Sequence, residues 1–172
     1  MTALALSAAG LARDGVHRFG LRVYYEDTDA AGIVYYANYL KFAERARTEM
    51  LRHVGFEQEA LRRTTGRVFA VRHCSADYLA PARLDNELVV ETRLTALGGA
   101  SLEVAQHISC GERLLVRLAL RLACLGADGK PARLPSPLRA ALARFHHHAT
   151  SPHAVDGQST GPTTRMTDRH AR

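Results

Sequence analysis

The alternation of apolar and polar positions divides the chain into a strand, a long helix and then four more strands. Residues 16–25 mix apolar and polar side chains and are rich in Val, Phe and Tyr, as a half-buried strand is. From Asn38 to Val54 the period changes. Tyr39, Phe42, Ala43, Ala46, Met50 and Val54 recur at the spacing that puts them on one face of a helix. Asn38 is the predicted N-cap, and Gly55 falls where a helix-ending glycine belongs. A shorter helix is predicted over 58–64.

Beyond it the two-residue period returns. Residues 67–80 alternate in part. The 86–96 segment places Leu88, Val90, Thr92 and Leu94 on one face, and the 100–109 segment does the same with Leu102, Val104, Gln106 and Ile108. Residues 113–125 are almost continuously apolar. Gly98-Gly99 and Gly111-Glu112 supply turns between the last three segments, so the four strands are expected to form a meander. Strand, helix and a run of strands together predict an α+β domain on an antiparallel sheet. A closing helix is expected over Leu138 to Phe145, after Pro135 and Pro137. Residues 1–15 read as a flexible leader, 16–145 as the domain, and 146–172, without periodicity, as a disordered tail.

Composition narrows the function classes. A chain of 172 residues suits one domain, and 47% hydrophobic residues are too many for a disordered protein. No stretch is long and apolar enough to span a bilayer. The Ala- and Leu-rich start lacks the basic region of a signal peptide, so a cytoplasmic protein is expected. The net charge is +6, nearly all of it from arginine, and such a surface attracts polyanions. The arginines are scattered and aromatics amount to only 6%, which argues against nucleic-acid recognition. Cys74, Cys110 and Cys124 form no C-x-x-C pair and fall on predicted strands, where buried inert thiols are the simplest expectation. His146, His147, His148 and His153 lie in the tail, where a solvated segment outweighs a metal site.

One stretch carries chemistry. It runs Tyr24-Tyr25-Glu26-Asp27-Thr28-Asp29-Ala30-Ala31-Gly32-Ile33-Val34-Tyr35-Tyr36-Ala37-Asn38-Tyr39: a strand end, an acidic turn, and a segment feeding the long helix. Such a junction can set a carboxylate beside free backbone N–H groups at the positive end of a helix dipole. Acyl transfer needs that pairing: a carboxylate to attack or to activate water, and donors for the oxyanion. The plainer alternative is an acidic turn that caps the helix. There is no G-x-S-x-G elbow and no phosphate loop.

The stretch closely resembles the hotdog thioesterases of the 4-hydroxybenzoyl-CoA thioesterase superfamily, and within it the acyl-CoA thioesterases that accompany the bacterial Tol-Pal system. The likeness rests on Tyr24 to Asp29, Gly32, Val34-Tyr35 and Asn38-Tyr39. It continues through Phe42, Glu44 to Arg52, Gly55, Tyr78 and Ala80 to Asp85. The resemblance implies a hotdog fold, a five-stranded antiparallel sheet wrapped around one long central helix. It implies acyl-CoA hydrolysis, with Asp29 as nucleophile or general base and the Tyr36 backbone N–H as oxyanion donor. Gly32 matches the glycine that lets the chain turn close to substrate, and Gly32, Val34 and Tyr35 are expected to bind substrate. Tol-Pal-associated members usually carry His where this chain has Tyr36; the 4-hydroxybenzoyl-CoA enzymes can carry Tyr there.

Further expectations follow from the same resemblance. No metal or redox cofactor is required, coenzyme A being part of the substrate. The assembly is a homodimer or homotetramer, and a cell-envelope protein or an acyl carrier protein is a conceivable partner. Glu44 is a second carboxylate candidate, although Arg47 and Thr48 one turn on make a surface ion pair the cheaper reading. For the phosphates of coenzyme A the chain offers Arg83, Arg93, Arg113 and Arg117, none singled out. Three rivals remain: a non-catalytic acyl-CoA or protein-binding hotdog module at the cell envelope, dehydration of a 3-hydroxyacyl thioester, and a nucleic-acid binder motivated only by the charge. The second calls for a His that the Tyr24–Tyr39 stretch lacks.

Overall fold

A computed structural model describes residues 11–150, with side chains over 13–146. Strands β1 (Leu11–Arg13) and β2 (Val16–Arg22) form a hairpin, and a single 3-10 turn follows at Tyr25–Asp27. Helices α1 (Asn38–His53) and α2 (Gln58–Thr65) come next. Strands β3 (Val68–Tyr78), β4 (Glu87–Leu97), β5 (Ser101–Cys110) and β6 (Arg113–Leu125) lead to the closing helix α3 (Ser136–Thr150). All strand pairs are antiparallel, in the order β1-β2-β4-β5-β6-β3.

The five expected strands and the long helix are present, and the short β1 adds a sixth strand at one edge. That strand falls inside the segment read as a leader; residues 1–10 of the leader lie outside the described residues. The meander is narrower than expected. Only β4, β5 and β6 follow one another in space, while β3 crosses to the far edge and pairs with β6. The link from β3 to β4 contains Pro81 and is too long for a tight hairpin. It runs instead beneath the acidic loop, where the Ala82 carbonyl accepts the Val34 N–H. The closing helix starts at Ser136, ahead of Pro137, because proline is tolerated in the first turn, where its missing N–H has no intrahelical partner. It also runs to Thr150, five residues into the expected tail; the remainder of the tail lies outside the described residues.

One face of α1 packs on the sheet. Phe42, Ala43 and Ala46 are fully buried, and Met50 and Tyr39 nearly so. They meet Leu88, Val90 and Leu94 of β4, Leu102, Val104 and Ile108 of β5, and Val116, Leu118 and Leu120 of β6. A polar thread crosses this core. The Gln106 amide donates to the Ala43 carbonyl and to Thr92 Oγ1 at 3.0 and 2.9 Å, and its oxygen accepts from Arg47 at 2.7 Å. With its hydrogen bonds made, the buried amide carries little penalty and fixes the rotation of α1 against β5.

The cysteines divide. Cys124 is buried, and burial pushes its thiol up against the opposing pull of Arg67. Cys110 is half-buried, and Cys74 is exposed, contrary to the expectation of three buried thiols. Cys74 sits on β3, an edge strand that no buried residue occupies at any position. Among the described residues, no helix is long and apolar enough to cross a membrane, and no cluster of metal-ligating side chains occurs.

Candidate functional site

The acidic loop is built by backbone hydrogen bonds that leave few groups free. Val23 is tied to the β3–β4 link through its N–H to the Asn86 carbonyl and its carbonyl to the Asp85 N–H. The chain then turns. Asp27 Oδ2 accepts the Tyr24 N–H at 2.9 Å, and the Asp27 carbonyl accepts both the Tyr35 N–H and the Asn38 side-chain amide, each at 2.9 Å. Asn38 therefore does not cap its own helix, as the sequence suggests; it is the first helical residue and reaches back to the loop. Gly55 does stand just past the C-cap Val54, at φ +92°.

These bonds sort the three neighbouring carboxylates. Asp27 is buried and committed to the loop, whereas Glu26 and Asp29 are exposed. Asp29 heads a tight turn: its N–H donates to the Ile33 carbonyl and its carbonyl accepts the Gly32 N–H, both at 2.9 Å. Gly32 closes that turn at φ +68°, a backbone region that side chains with a Cβ enter at a cost. One Asp29 carboxylate oxygen, Oδ1, accepts the Ala31 N–H at 2.9 Å; Oδ2 makes no hydrogen bond among the described residues.

The other arm of the loop returns toward α1. Thr28 and Val34 form an antiparallel bridge, so the Asp29 turn and the Tyr35–Tyr36 segment are two sides of one small ribbon. Tyr35 N–H and Asn38 N–H are both used internally. The Tyr36 N–H lies between them and makes no hydrogen bond among the described residues. It belongs to the segment that leads into α1, where the helix dipole favours negative charge.

A cleft of about 280 Å³ opens beside Tyr36, lined by Ile33, Val34, Tyr39, Tyr78, Leu79 and Pro81 among others. Its walls are apolar and aromatic. The Tyr78 ring stands edge-on to Tyr36 at 6.2 Å and tilted to Tyr39 at 5.9 Å. The Tyr78 hydroxyl donates to the Tyr36 carbonyl at 3.3 Å, bracing the peptide next to the free N–H. Burial pushes the Tyr78 hydroxyl up, with smaller contributions from Cys74 and Tyr36, and it pushes Tyr39 up as well. Tyr35 is also raised, chiefly by a hydrogen bond with the Tyr36 side chain. All three stay neutral hydroxyls at physiological pH.

Asp29, Gly32, Val34, Tyr35 and Tyr36 thus share one loop. Val34 is buried and forms part of the cleft floor, while Tyr35 is exposed and does not line it. Tyr39 and Tyr78 were not singled out as site residues from the sequence. Tyr78 lies far along the chain; it belongs to the residues that carry the resemblance, and the alternation of β3 from Ala76 to Tyr78 places it on the same side as Ala76. Glu44 stands apart: its half-exposed carboxylate pairs with the buried Arg47 guanidinium on the same helix.

Comparison with known proteins adds a family to this geometry. The model of the thioesterase superfamily matches residues 31–117. The acyl-CoA thioesterase YbgC of Haemophilus influenzae is 40% identical over 135 residues, which cover 78% of this chain and 97% of that protein. The acyl-CoA thioester hydrolase YbgC of Escherichia coli O157:H7 is 47% identical over 124 residues, covering 70% of this chain and 91% of that one. Among solved structures, the "Probable Thioesterase from Bartonella henselae" superposes with a TM-score of 0.68 at 41% identity, over 70% of this chain and 99% of that one.

Proposed function

The chain belongs to the thioesterase superfamily, and from that premise we propose that it hydrolyses an acyl-coenzyme A to a carboxylic acid and free coenzyme A. The observation that carries the reading is the pairing, on one loop, of an exposed carboxylate with a free oxygen and an unclaimed N–H at the start of a helix. The thioester carbonyl oxygen takes the Tyr36 N–H, and the acyl group lies in the adjoining cleft over Val34. Asp29 acts at the carbonyl carbon. As general base it removes a proton from water, whose oxygen bonds to the acyl carbon as the C–S bond breaks. As nucleophile it forms an acyl anhydride that water then opens. In either route the sulfur leaves with the bond pair and takes a proton. Charge builds on the carbonyl oxygen in both, and one oxyanion donor contributes ~100–1,000-fold in rate. Gly32 keeps the turn tight beneath the substrate. Every step is performed by side chain, backbone and water.

One observation supports an assembly of copies. The edge strand β3 has no buried residue, with Val71 and Tyr78 about half exposed. A free edge of this kind is a template for strand pairing. A second copy joined there makes a dimer, and two dimers a tetramer; a molecular mass in solution of one chain at micromolar concentration would contradict this. The reaction belongs in the cytoplasm, where acyl-coenzyme A is made, with an envelope protein or acyl carrier protein as a further partner. Thiol release from short, long and aromatic acyl-coenzyme A substrates, with Asp29→Asn alongside, tests the activity. Tight acyl-coenzyme A binding without turnover would instead mark a binding module.

A further inference from the structure

Strand β3 breaks a packing rule on the face it turns toward the core. Its residues Phe69, Val71, Cys74, Ala76 and Tyr78 lie opposite Cys124, Leu122, Leu120, Leu118 and Val116 of β6, in that order. Side chains directly opposite on neighbouring strands share a face, and these β6 residues are all buried. The β3 residues therefore belong to the inner face of the sheet. Yet Val71, Cys74 and Tyr78 are exposed, and Phe69 and Ala76 are only half-buried. A bulge between Val71 and His73 keeps Val71 on the same face as Cys74, where regular alternation would set them on opposite faces. The result is a continuous uncovered strip without a charged side chain.

Both ends of the strip open into cavities. At the Tyr78 end lies the cleft beside Tyr36. At the other end a cavity of about 50 Å³ is lined by Met50, Leu51, Phe69, Val71, Leu102 and Leu122 among others. Three polar side chains also reach it, and each is engaged: Arg47 with Glu44 and Gln106, and Gln58 with Thr48. Between the cavities stand Cys74 and Ala76, whose small side chains leave room along the inner face. Val116 and Leu122, the partners of Tyr78 and Val71, are six positions apart on β6. At about 3.4 Å per residue the strip is roughly 20 Å long.

We propose that this strip holds the acyl chain, and that the substrate class is a long-chain fatty acyl thioester; the assignment rests on the hydrolysis proposed above. Its length exceeds the ~15 Å that a lipid chain spans in half a bilayer core. A short or single-ring acyl group fills only the cleft beside Tyr36 and leaves the strip in water. Each methylene buried against apolar walls contributes about fourfold in affinity. A second copy joined at the β3 edge pairs through backbone groups in the plane of the sheet, whereas the strip faces out of that plane.

The test is a series of acyl-coenzyme A substrates from hexanoyl to palmitoyl, kept below micelle concentrations and assayed by thiol release. Wild type is compared with Val71→Trp and Cys74→Trp. Both positions are exposed, and thermal melting verifies that the variants fold. In wild type, kcat/KM is expected to rise with chain length toward palmitoyl. Val71→Trp fills the far end, so it should lower palmitoyl hydrolysis about tenfold and leave hexanoyl hydrolysis unchanged. Cys74→Trp, nearer Tyr78, should move the cut-off to a shorter chain. A second arm needs no turnover: calorimetric binding of S-hexadecyl- and S-hexyl-coenzyme A, thioethers that have no acyl carbon to attack. The longer one is expected to bind more tightly, and Val71→Trp to remove that advantage. Absence of wild-type turnover with the advantage present would overturn the hydrolysis and keep the strip as an acyl-binding groove. A wild-type preference for short or aromatic acyl groups would overturn the strip and leave the hydrolysis standing. So would equal losses at every chain length in folded variants, or a Val71→Trp that alters the molecular mass in solution but not the chain-length profile.

Discussion

Two aspartates two positions apart should behave oppositely when replaced, and Asp27 is the more telling of the pair. Asp27→Ala removes the carboxylate that holds the Tyr24 N–H at 2.9 Å in a position only 7% exposed. A hydrogen bond to a charged group contributes about 1.5–3 kcal/mol, and the bonded N–H is left without its acceptor. The bond spans three residues of a surface loop, so about 2 kcal/mol is the reasonable expectation. For a domain of this size that corresponds to a fall in melting temperature of roughly 4–8 °C. The Asp27 carbonyl, which carries the Tyr35 N–H and the Asn38 amide, is still present in the variant. The loop should therefore hold its course, and thiol release assayed well below the melting point should persist. Thermal unfolding by circular dichroism and a thiol-release assay on one preparation measure both. A variant that melts with the wild type but has lost turnover would refute the division of labour: Asp27 would then be the chemical carboxylate.

Two further outcomes follow from the same geometry. Gly32→Ala meets no atom within 4 Å of the added Cβ, so its cost is conformational; about 1 kcal/mol from the φ of +68° is expected, and an unchanged melting temperature would show that the turn does not need that conformation. Stability should also fall in alkali. Burial, opposed by the Ala82 N–H and aided by Tyr78, raises Tyr39 above its ordinary 10.0. The folded chain then holds that proton more tightly than the unfolded one, so the contribution is complete below about pH 10 and is lost as pH rises through the folded value. Urea midpoints between pH 9 and 11 should drop, less steeply in Tyr39→Phe; equal slopes would contradict the assignment.

Much of this was legible in the chain because its period is strong. The core faces of β4 and β5 were read residue by residue, Gln106 included, since alternation needs only local sequence. The placement of β3 was not, because the partner of a strand is decided by the length and course of its connection, here the Pro81-containing link under the loop. The same gap hid Tyr78, whose approach to Tyr36 exists only once β3 lies beyond β6. Asn38 shows the limit of cap rules: its amide had a better acceptor in the Asp27 carbonyl than in its own helix. Nor could sequence separate Asp27 from Asp29, because the distinction is one of burial and hydrogen bonding, not of residue type.

The most direct test of the account is free-thiol release by Asp29→Asn against wild type, on whichever acyl-coenzyme A the wild type turns over. The exchange keeps the size of the side chain and an oxygen to accept the Ala31 N–H, so melting should be unchanged. The account predicts near-complete loss of hydrolysis in a protein that melts like the wild type. Wild-type turnover by Asp29→Asn would contradict it and send the search for the reacting carboxylate back to Asp27, Glu26 and Glu44.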